Sequence, residues 1–375
     1  MTSRTSSVYS SKPNPSKHNS RAHLTGKPTW GFTTILLLLT AGLLLSVTLA
    51  VMLGPVAVAP ETVWRIVLSH LPWLDQWIPV TWTKPEQYIV WEIRFPRVLL
   101  GVVVGAGLAV TGATIQALIR NSLADPYILG VSSGASVTAT LVIVFGAFGF
   151  LGRLALPLSA FIGSLTAMLM VFALARVAGS ISTTRLLLAG VAVSMMLSAV
   201  TSFVVTMAPN EKGIRDAMYW MMGSLAGAQW DTLFIPSLIV AVGTAVLLTR
   251  YRSLNALLTG EQTAVTLGVN VHAFRVLLVV VASLLTGAVV SVSGSIGFVG
   301  LMIPHIVRLI VGSDHRRVLP VSLLAGAIFV VWADVCARLV LAPQELPIGI
   351  VTAVCGGPFF VWLLRRSSYS FGGEK

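Results

Sequence analysis

The chain has 375 residues, of which 55% are hydrophobic and only 10% are charged, and its mean hydropathy is +0.88. Because soluble domains contain about a quarter charged residues, this composition excludes a water-soluble enzyme and indicates a membrane protein. The formal net charge of +12 arises in the N-terminal tail and in short loops between apolar runs. That distribution is typical of a basic cytoplasmic face and argues against a nucleic-acid groove.

Residues 1–30 are basic and polar and lack apolar periodicity, so we expect a disordered cytoplasmic tail there. Residues 31–370 are predicted to form one transmembrane domain. The uncharged run from Gly31 to Pro60 is far longer than the ~7–15-residue core of a signal peptide. It is therefore predicted to be a retained first membrane helix.

Further long apolar runs follow along the chain, and each membrane helix needs about 20 apolar residues. The continuous runs are 32–54, 98–119, 130–150, 155–175, 186–208, 232–249, 276–296 and 346–364. Two weaker candidates, Val299 to Val311 and Val318 to Leu341, contain a proline or charged residues. All are too continuous for the ~10-residue alternation of a membrane β-barrel. The predicted fold is an all-α polytopic membrane protein with about ten transmembrane helices, the eighth and ninth having the least defined boundaries.

The loops predict an orientation for these helices. When the N-terminus is placed inside, the inner loops hold more lysine and arginine than the outer loops. The positive-inside rule then predicts that both termini are cytoplasmic. On the outer side, residues 60–92 contain five tryptophans, which predicts structure lying at the membrane interface, and Pro209 to Asp231 is predicted to form a short helix and a turn.

Motifs of soluble-enzyme chemistry are absent from the sequence. There is no phosphate-binding loop with its lysine, no H-E-x-x-H pair, and no histidine spacing typical of metal ligands. We therefore expect no catalytic residue, no metal site and no cofactor, and any ATP that drives transport must be hydrolysed by a separate chain. The two cysteines, Cys336 and Cys355, are expected to be buried as small hydrophobic residues.

The loop from Arg250 to Arg275 is too long to be a simple connector. It is predicted to contain two short helices, the second beginning at a capping box in which Thr259 is the N-cap and Gln262 the third residue. This loop is the candidate docking surface for an ATPase, and the alternative is an interfacial helix that only anchors the loop. The candidate coupling residues are Leu254, Leu257, Leu258, Gly260, Glu261, Ala264, Leu267 and Gly268.

Three arginines, Arg94, Arg97 and Arg338, lie near the outer ends of predicted membrane helices. Guanidinium groups at an outer rim can pair bidentately with carboxylates of a partner, and the alternative for the first two is snorkelling to the interface. Asp334 is the only acidic residue well inside a predicted span. It lies four residues before Arg338 on the same helical face, which favours an intramembrane ion pair over a proton relay.

Several long motifs follow one another along residues 60–366. In the first half they are PRVLL at 96–100, GATIQALIRNSLADP at 112–126 and LGVSSGA at 129–135. In the second half they are IGFVGLMIPHIVR at 296–308, DHRR at 314–317, ELPIG at 345–349 and GPFF at 357–360. In this order they resemble the family of iron-siderophore and cobalamin ABC importer permeases, the FecCD type.

The resemblance implies a fold like that of type II ABC importer permeases. It also implies a homodimer or close heterodimer of permeases, a pair of cytoplasmic ATP-binding subunits, and a periplasmic or lipid-anchored substrate-binding protein. In such importers the loop that matches 254–271 holds the coupling helices, and the arginines that match Arg94, Arg97 and Arg338 are candidates to contact the binding protein. The fifth helix, here Gly190 to Thr201, is implied to line the pore.

The predicted function is therefore that of a permease subunit, with residues 31–370 as its permease domain and no ATPase site of its own. We expect it in the bacterial cytoplasmic (inner) membrane, carrying an iron(III)-siderophore. The alternatives that stay open are a cobalamin or haem ABC importer permease and, in a different class, a proton-coupled secondary transporter that uses Asp334.

Overall fold

A computed structural model describes residues 31–366 of the chain, except 55, 74, 178, 179 and 182. The predicted tail, residues 1–30, and the last residues of the predicted domain, 367–370, lie outside the described residues. The described chain is almost entirely helical, as the apolar runs predict. Its helices are α1 (Phe32–Met52), α2 (Pro60–Ser69), α3 (Lys84–Tyr88), α4 (Phe95–Ile119), α5 (Val131–Phe145), α6 (Ala155–Ala175), α7 (Thr183–Thr206), α8 (Glu211–Met221), α9 (Trp230–Thr249), α10 (Tyr251–Leu258), α11 (Glu261–Thr266), α12 (Val271–Ser293), α13 (Val299–Val311), α14 (His315–Leu339) and α15 (Ile348–Arg366).

Ten helices of the described chain are candidates for crossing a membrane. Seven are long and apolar enough by themselves, and three shorter apolar helices, α5, α13 and most of α15, complete the set. This agrees with the predicted count. Pro304 lies inside α13 rather than ending it. One small element was not predicted: Arg176–Val177 pairs antiparallel with Ser180–Ile181 where α6 turns into α7.

Helix α4 lies at the centre of the bundle, where it packs against α9, α12, α13 and α14. Two glycines allow the closest approaches. A Cβ atom at Gly105 would overlap the carbonyl of Gly326 on α14, and one at Gly112 would overlap the carbonyl of Gly300 on α13. Small residues of this kind let membrane helices approach until their backbones touch, which supplies packing energy that lipid does not.

The first helix and the outer segment pack against this centre. Helix α1 contacts α14, and Trp332 Nε1 donates a hydrogen bond to Ser46 Oγ at 3.0 Å. The outer segment forms α2 and α3, and α3 continues through a short π-helical stretch into α4. Of the five tryptophans there, Trp73 and Trp77 are 83% and 79% exposed, whereas Trp82 is buried; a position at the membrane interface stays a prediction.

The expectation for the two cysteines was wrong. Cys336 and Cys355 are both exposed, because they lie on faces of α14 and α15 that the rest of this chain leaves uncovered. Apolar sequence alone does not distinguish a side chain in the protein interior from one that faces lipid or another subunit.

We predict that Gly105→Ala lowers the thermal stability of the purified chain, because the added methyl group forces α4 away from α14. Overpacking of this kind costs about 1–3 kcal/mol. The measurement is the apparent Tm in detergent. Gly357→Ala is the matched control, since no atom lies within 4 Å of a Cβ there. Equal Tm values for the two variants would contradict the close approach.

Candidate functional site

A non-helical segment, residues 294–298, separates α12 from α13 inside the bundle. Gly294 ends α12 with φ +66°, a conformation that favours glycine. A Cβ atom there would also overlap the carbonyl oxygen of Trp220. Phe298 has φ +67° and precedes the first residue of α13. Irregular backbone at membrane depth is stable only where protein groups or a water-filled cavity satisfy its polar atoms.

Side chains from α5 and the turn before it bond to this segment. The hydroxyl of Tyr127 donates to the carbonyl of Ile296 at 3.0 Å and accepts from its N–H, also at 3.0 Å. Ser132 Oγ bonds to Ser295 Oγ at 2.9 Å. The N–H of Ser224 donates to the carbonyl of Ser293, the last residue of α12, at 2.8 Å. The break is thus bonded on two sides within the protein.

An open groove of about 480 Å³ lies beside this break. Its lining consists mainly of hydroxyl side chains with a few thioether and aliphatic groups, and it holds no charged side chain. The lining residues are Ser132, Ser133, Ser136, Ser198, Thr201, Ser202, Val205, Thr206, Met218, Met221 and Ser295. Hydroxyl groups both donate and accept hydrogen bonds, so the groove offers polar contacts to a solute without a fixed charge.

Helix α7 supplies a large part of this groove and is poorly covered elsewhere, with only 22% of its apolar window buried. Within the predicted pore stretch, Ser198 and Thr201 line the groove. Gly190 does not; it packs instead against the backbone of Ile128. The signal that sequence analysis missed is the row of hydroxyls at 198, 201, 202 and 206, which repeats with helical spacing.

The loop after α9 forms two short helices, α10 and α11, as predicted. We call them together the coupling hairpin. Its inner side is buried, through Leu254, Leu257 and Ala264. Its outer side presents three exposed aliphatic residues, Leu258 at 39%, Val265 at 58% and Leu267 at 66%.

The predicted capping box at the start of α11 was wrong. Thr259 closes α10, and its Oγ donates to the carbonyl of Ala256 at 2.8 Å. Gly260, with φ +117°, turns the chain so that α11 begins at Glu261. Gly268 has φ +80°, which agrees with the left-handed cap expected at the end of α11.

An ion pair and two hydrogen bonds hold the coupling hairpin to α12 and α14. Glu261 forms an ion pair with Arg275 of α12 at 2.9 Å. Asn255 donates to Asp314, the N-cap of α14, at 2.7 Å, and accepts from the N–H of His315. Burial alone would raise the pKa of Asp314, but hydrogen bonds from Asn255 and the N–H of Arg316 lower it below its usual value. The N-cap therefore stays ionised at neutral pH.

At the other end of the bundle, four charged side chains form a cluster across α4, α14 and the loop that follows. Arg97 lies 2.9 Å from Asp334 and 2.9 Å from Glu345. Arg338 lies 3.0 Å from the same Asp334, which is the intramembrane pair predicted from their spacing. Asp334 is 2% exposed, so this carboxylate is buried between two guanidinium groups.

Two arginines of this region also bond to the C-terminal end of α1. Arg94 donates to the carbonyls of Val51 and Met52 in α1, at 2.9 and 3.1 Å, and to that of Val56 in the segment that follows, at 2.6 Å. Arg338 donates to the carbonyls of Ala50 and Leu53. The last carbonyls of a helix lack partners within the helix and carry its negative dipole end. The guanidinium groups here donate hydrogen bonds to these carbonyls and place positive charge at the negative end of the helix dipole.

These contacts bear on the roles expected for the arginines. All three are buried, with Arg94 at 5%, Arg97 at 8% and Arg338 at 6% exposure, and each bonds within the chain. Their contact with a binding protein therefore stays a prediction, and the geometry favours an internal structural role. Asp334, held between two arginines, is also poorly placed to act as a proton relay.

Comparison with known proteins gives a consistent result. The sequence model of the FecCD transport family matches residues 42–366. A cobalamin import system permease protein, BtuC of Halobacterium salinarum, is 48% identical over 306 residues, covering 80% of this chain and 81% of the relative. The hemin transport system permease protein HmuU of Yersinia pestis is 43% identical over 289 residues, covering 76% of this chain and 86% of the relative.

A solved structure has the same architecture. It is an inward-facing conformation of a metal-chelate type ABC transporter, with a TM-score of 0.77 and 30% sequence identity. The alignment covers 89% of this chain and the whole of that chain. The fold expected from the sequence resemblance is therefore confirmed.

We predict that Asp334→Asn destabilises the purified chain by about 3 kcal/mol, because it leaves two buried guanidinium groups without their shared anion. The measurement is the thermal unfolding midpoint in detergent. Glu345→Gln is the control, since that side chain is 44% exposed and water can replace its contact with Arg97. A loss of stability for Glu345→Gln as large as that for Asp334→Asn would contradict the central role of the buried carboxylate.

Proposed function

The chain belongs to the FecCD transport family of ABC importer permeases, and we propose that it forms, with a second permease, the membrane pore for a cobalamin-type or haem-type metal chelate. An ATP-binding subunit pair drives this pore from the cytoplasm, and a substrate-binding protein delivers cargo from outside. The observation that best supports the ATP-driven mechanism is the coupling hairpin, which presents exposed aliphatic residues while an ion pair holds it to α12 and hydrogen bonds hold it to α14.

The cargo is inferred from the relatives. Those compared above carry the names of cobalamin and hemin transporters. These names support a corrinoid or porphyrin cargo over the iron(III)-siderophore expected from the sequence. The uncharged groove along α5 and α7 suits such a cargo, since hydroxyl and thioether groups contact a large amphipathic macrocycle without a fixed charge to retain it.

The pore needs a second subunit. The groove is open to the surface, and α7, which lines it, also exposes Met195, Met196 and Phe203 at 70%, 60% and 64%. A membrane helix with such exposed apolar side chains contacts either lipid or another protein along that face. A second permease facing the groove would enclose a path between the two copies, and we place the translocation path at this interface.

Conformational change in the ATPase reaches the permease through the coupling hairpin. Leu258, Val265 and Leu267 offer an aliphatic surface to the ATPase, and closure of the ATPase pair moves the hairpin. Because Glu261 is tied to α12 and Asn255 to α14, that movement is passed to two helices that pack on α4. The two permeases then rock between inward and outward access.

The location follows from the same assignment. We place the chain in the cytoplasmic membrane with both termini inside, where the coupling hairpin meets the ATPase. The excess of lysine and arginine in the inner loops supports this orientation.

We predict that Val265→Asp reduces co-purification of the ATPase at least tenfold, because a charge on the aliphatic surface must be desolvated on docking. Ala264→Pro has the same expected effect through the backbone, since the N–H of Ala264 bonds to the carbonyl of Gly260. Ser313→Asp, an exposed position before α14, is the control. Membrane insertion of all three variants stays normal. Unchanged ATPase recovery with Val265→Asp would contradict docking at this surface.

We predict that vesicles containing the complete transporter accumulate cobalamin only with ATP, and that vanadate stops accumulation whereas a protonophore does not. Hemin and a ferric siderophore serve as competitors. If hemin inhibits accumulation and the siderophore does not, the inferred cargo includes a porphyrin. Stronger competition by the siderophore would contradict the macrocycle assignment, and uptake driven by a proton gradient without ATP would contradict the class.

A further inference from the structure

A second groove, of about 570 Å³, lies at the base of the coupling hairpin. It is separate from the hydroxyl groove and shares no residue with it. Its polar part includes Arg250, Arg252 and Asn270, and its apolar part includes Phe274 and Leu277. One cavity thus combines two guanidinium groups with an aliphatic and aromatic wall.

The two arginines have no acidic partner in the described part of the chain. None of the ion pairs among residues 31–366, outside the few masked positions, includes Arg250 or Arg252. The Nε of Arg252 donates to the hydroxyl of its neighbour Tyr251 at 3.1 Å, a neutral contact. The groove therefore has an uncompensated positive charge of about two, which attracts an anion.

The groove also lies where two candidate membrane spans end. Arg250 directly follows α9, which ends at Thr249, and Asn270 directly precedes α12. Both helices are long and apolar enough to cross the membrane. The last residue of one span and the first of the next lie at the membrane boundary, where basic side chains contact phosphate groups.

The apolar wall continues towards the lipid. Ala273 of α12 lines the groove and is exposed. Val280, two turns further on the same helical face, is 47% exposed, and Val242 on the neighbouring α9 is 54% exposed. An acyl chain that starts at the groove can therefore lie along α12 without crossing a polar surface.

We propose that this groove binds an anionic phospholipid of the leaflet next to the coupling hairpin. The phosphate group accepts hydrogen bonds from Arg250 and Arg252, and one acyl chain packs against Ala273 and Leu277. A zwitterionic lipid is disfavoured, because its cationic headgroup would lie beside two guanidinium groups. A bound lipid would connect α10 to α12 at the point where the hairpin leaves the membrane.

The test uses the full-length chain without ATPase, nucleotide or cargo, so that its outcome is independent of the proposed transport function. The purified chain is exchanged into detergent with phosphatidylglycerol or phosphatidylcholine, and bound lipid is counted by native mass spectrometry. We expect one retained phosphatidylglycerol and no retained phosphatidylcholine. The double variant Arg250→Gln/Arg252→Gln should weaken phosphatidylglycerol binding about tenfold or more.

Arg316→Gln/Arg317→Gln is the matched control, because it removes the same charge from exposed positions on the same side of the bundle. It should leave lipid retention unchanged, and equal Tm values show that both variants are folded. Equal loss of lipid in the two double variants would overturn a specific site. Displacement of the lipid by glycerol phosphate at equal concentration would also overturn the proposal, since it would reduce the groove to a phosphate site without a role for the acyl chain.

Discussion

In the hydrocarbon of a bilayer every backbone polar group needs a hydrogen-bond partner, either in the protein or in a water-filled cavity, and the architecture of this chain depends on that constraint. Where α12 stops inside the bundle, the hydroxyl of Tyr127 bonds to both backbone groups of Ile296, and the hydroxyl of Ser132 bonds to that of Ser295. Where α1 stops, Arg94 and Arg338 take up its last carbonyls. Hydroxyl partners and guanidinium partners have different consequences for the fold. Neutral hydroxyls leave an uncharged groove that a solute can pass, whereas guanidinium groups fix α1 against α4 and α14.

The rigid and the open parts of the molecule are therefore separated. Glycine contacts bring α4 against α13 and α14, and the cluster around Asp334 fastens α4 to α14 at one end. At the opposite end the coupling hairpin is bonded to α12 and α14 but leaves its aliphatic side uncovered. Helix α7, by contrast, has little cover.

The sequence predicted the elements that local pattern determines. Long apolar runs predicted the ten membrane-crossing candidates, and the length of the loop after α9 predicted a helical hairpin. Sequence analysis failed where contacts between residues far apart in the chain determine the burial of a side chain or the lining of a groove. The burial of Arg94 depends on carbonyls about 40 residues away in α1, and the hydroxyl groove joins α5 and α7 with Ser295. The capping box at Thr259 failed for a local reason, because Gly260 adopts φ +117° and ends α10 before α11 begins.

The central claim is that cargo passes along the hydroxyl groove. The most direct measurement is thiol modification of Ser202→Cys, an exposed groove residue, in the complete transporter with Cys336 and Cys355 replaced by serine. Gln76→Cys, exposed in the outer segment, provides the reference rate. The account predicts that saturating cargo slows maleimide reaction at position 202 several-fold and leaves position 76 unchanged. Equal rates at position 202 with and without cargo, in a transporter that still accumulates it, would contradict the account.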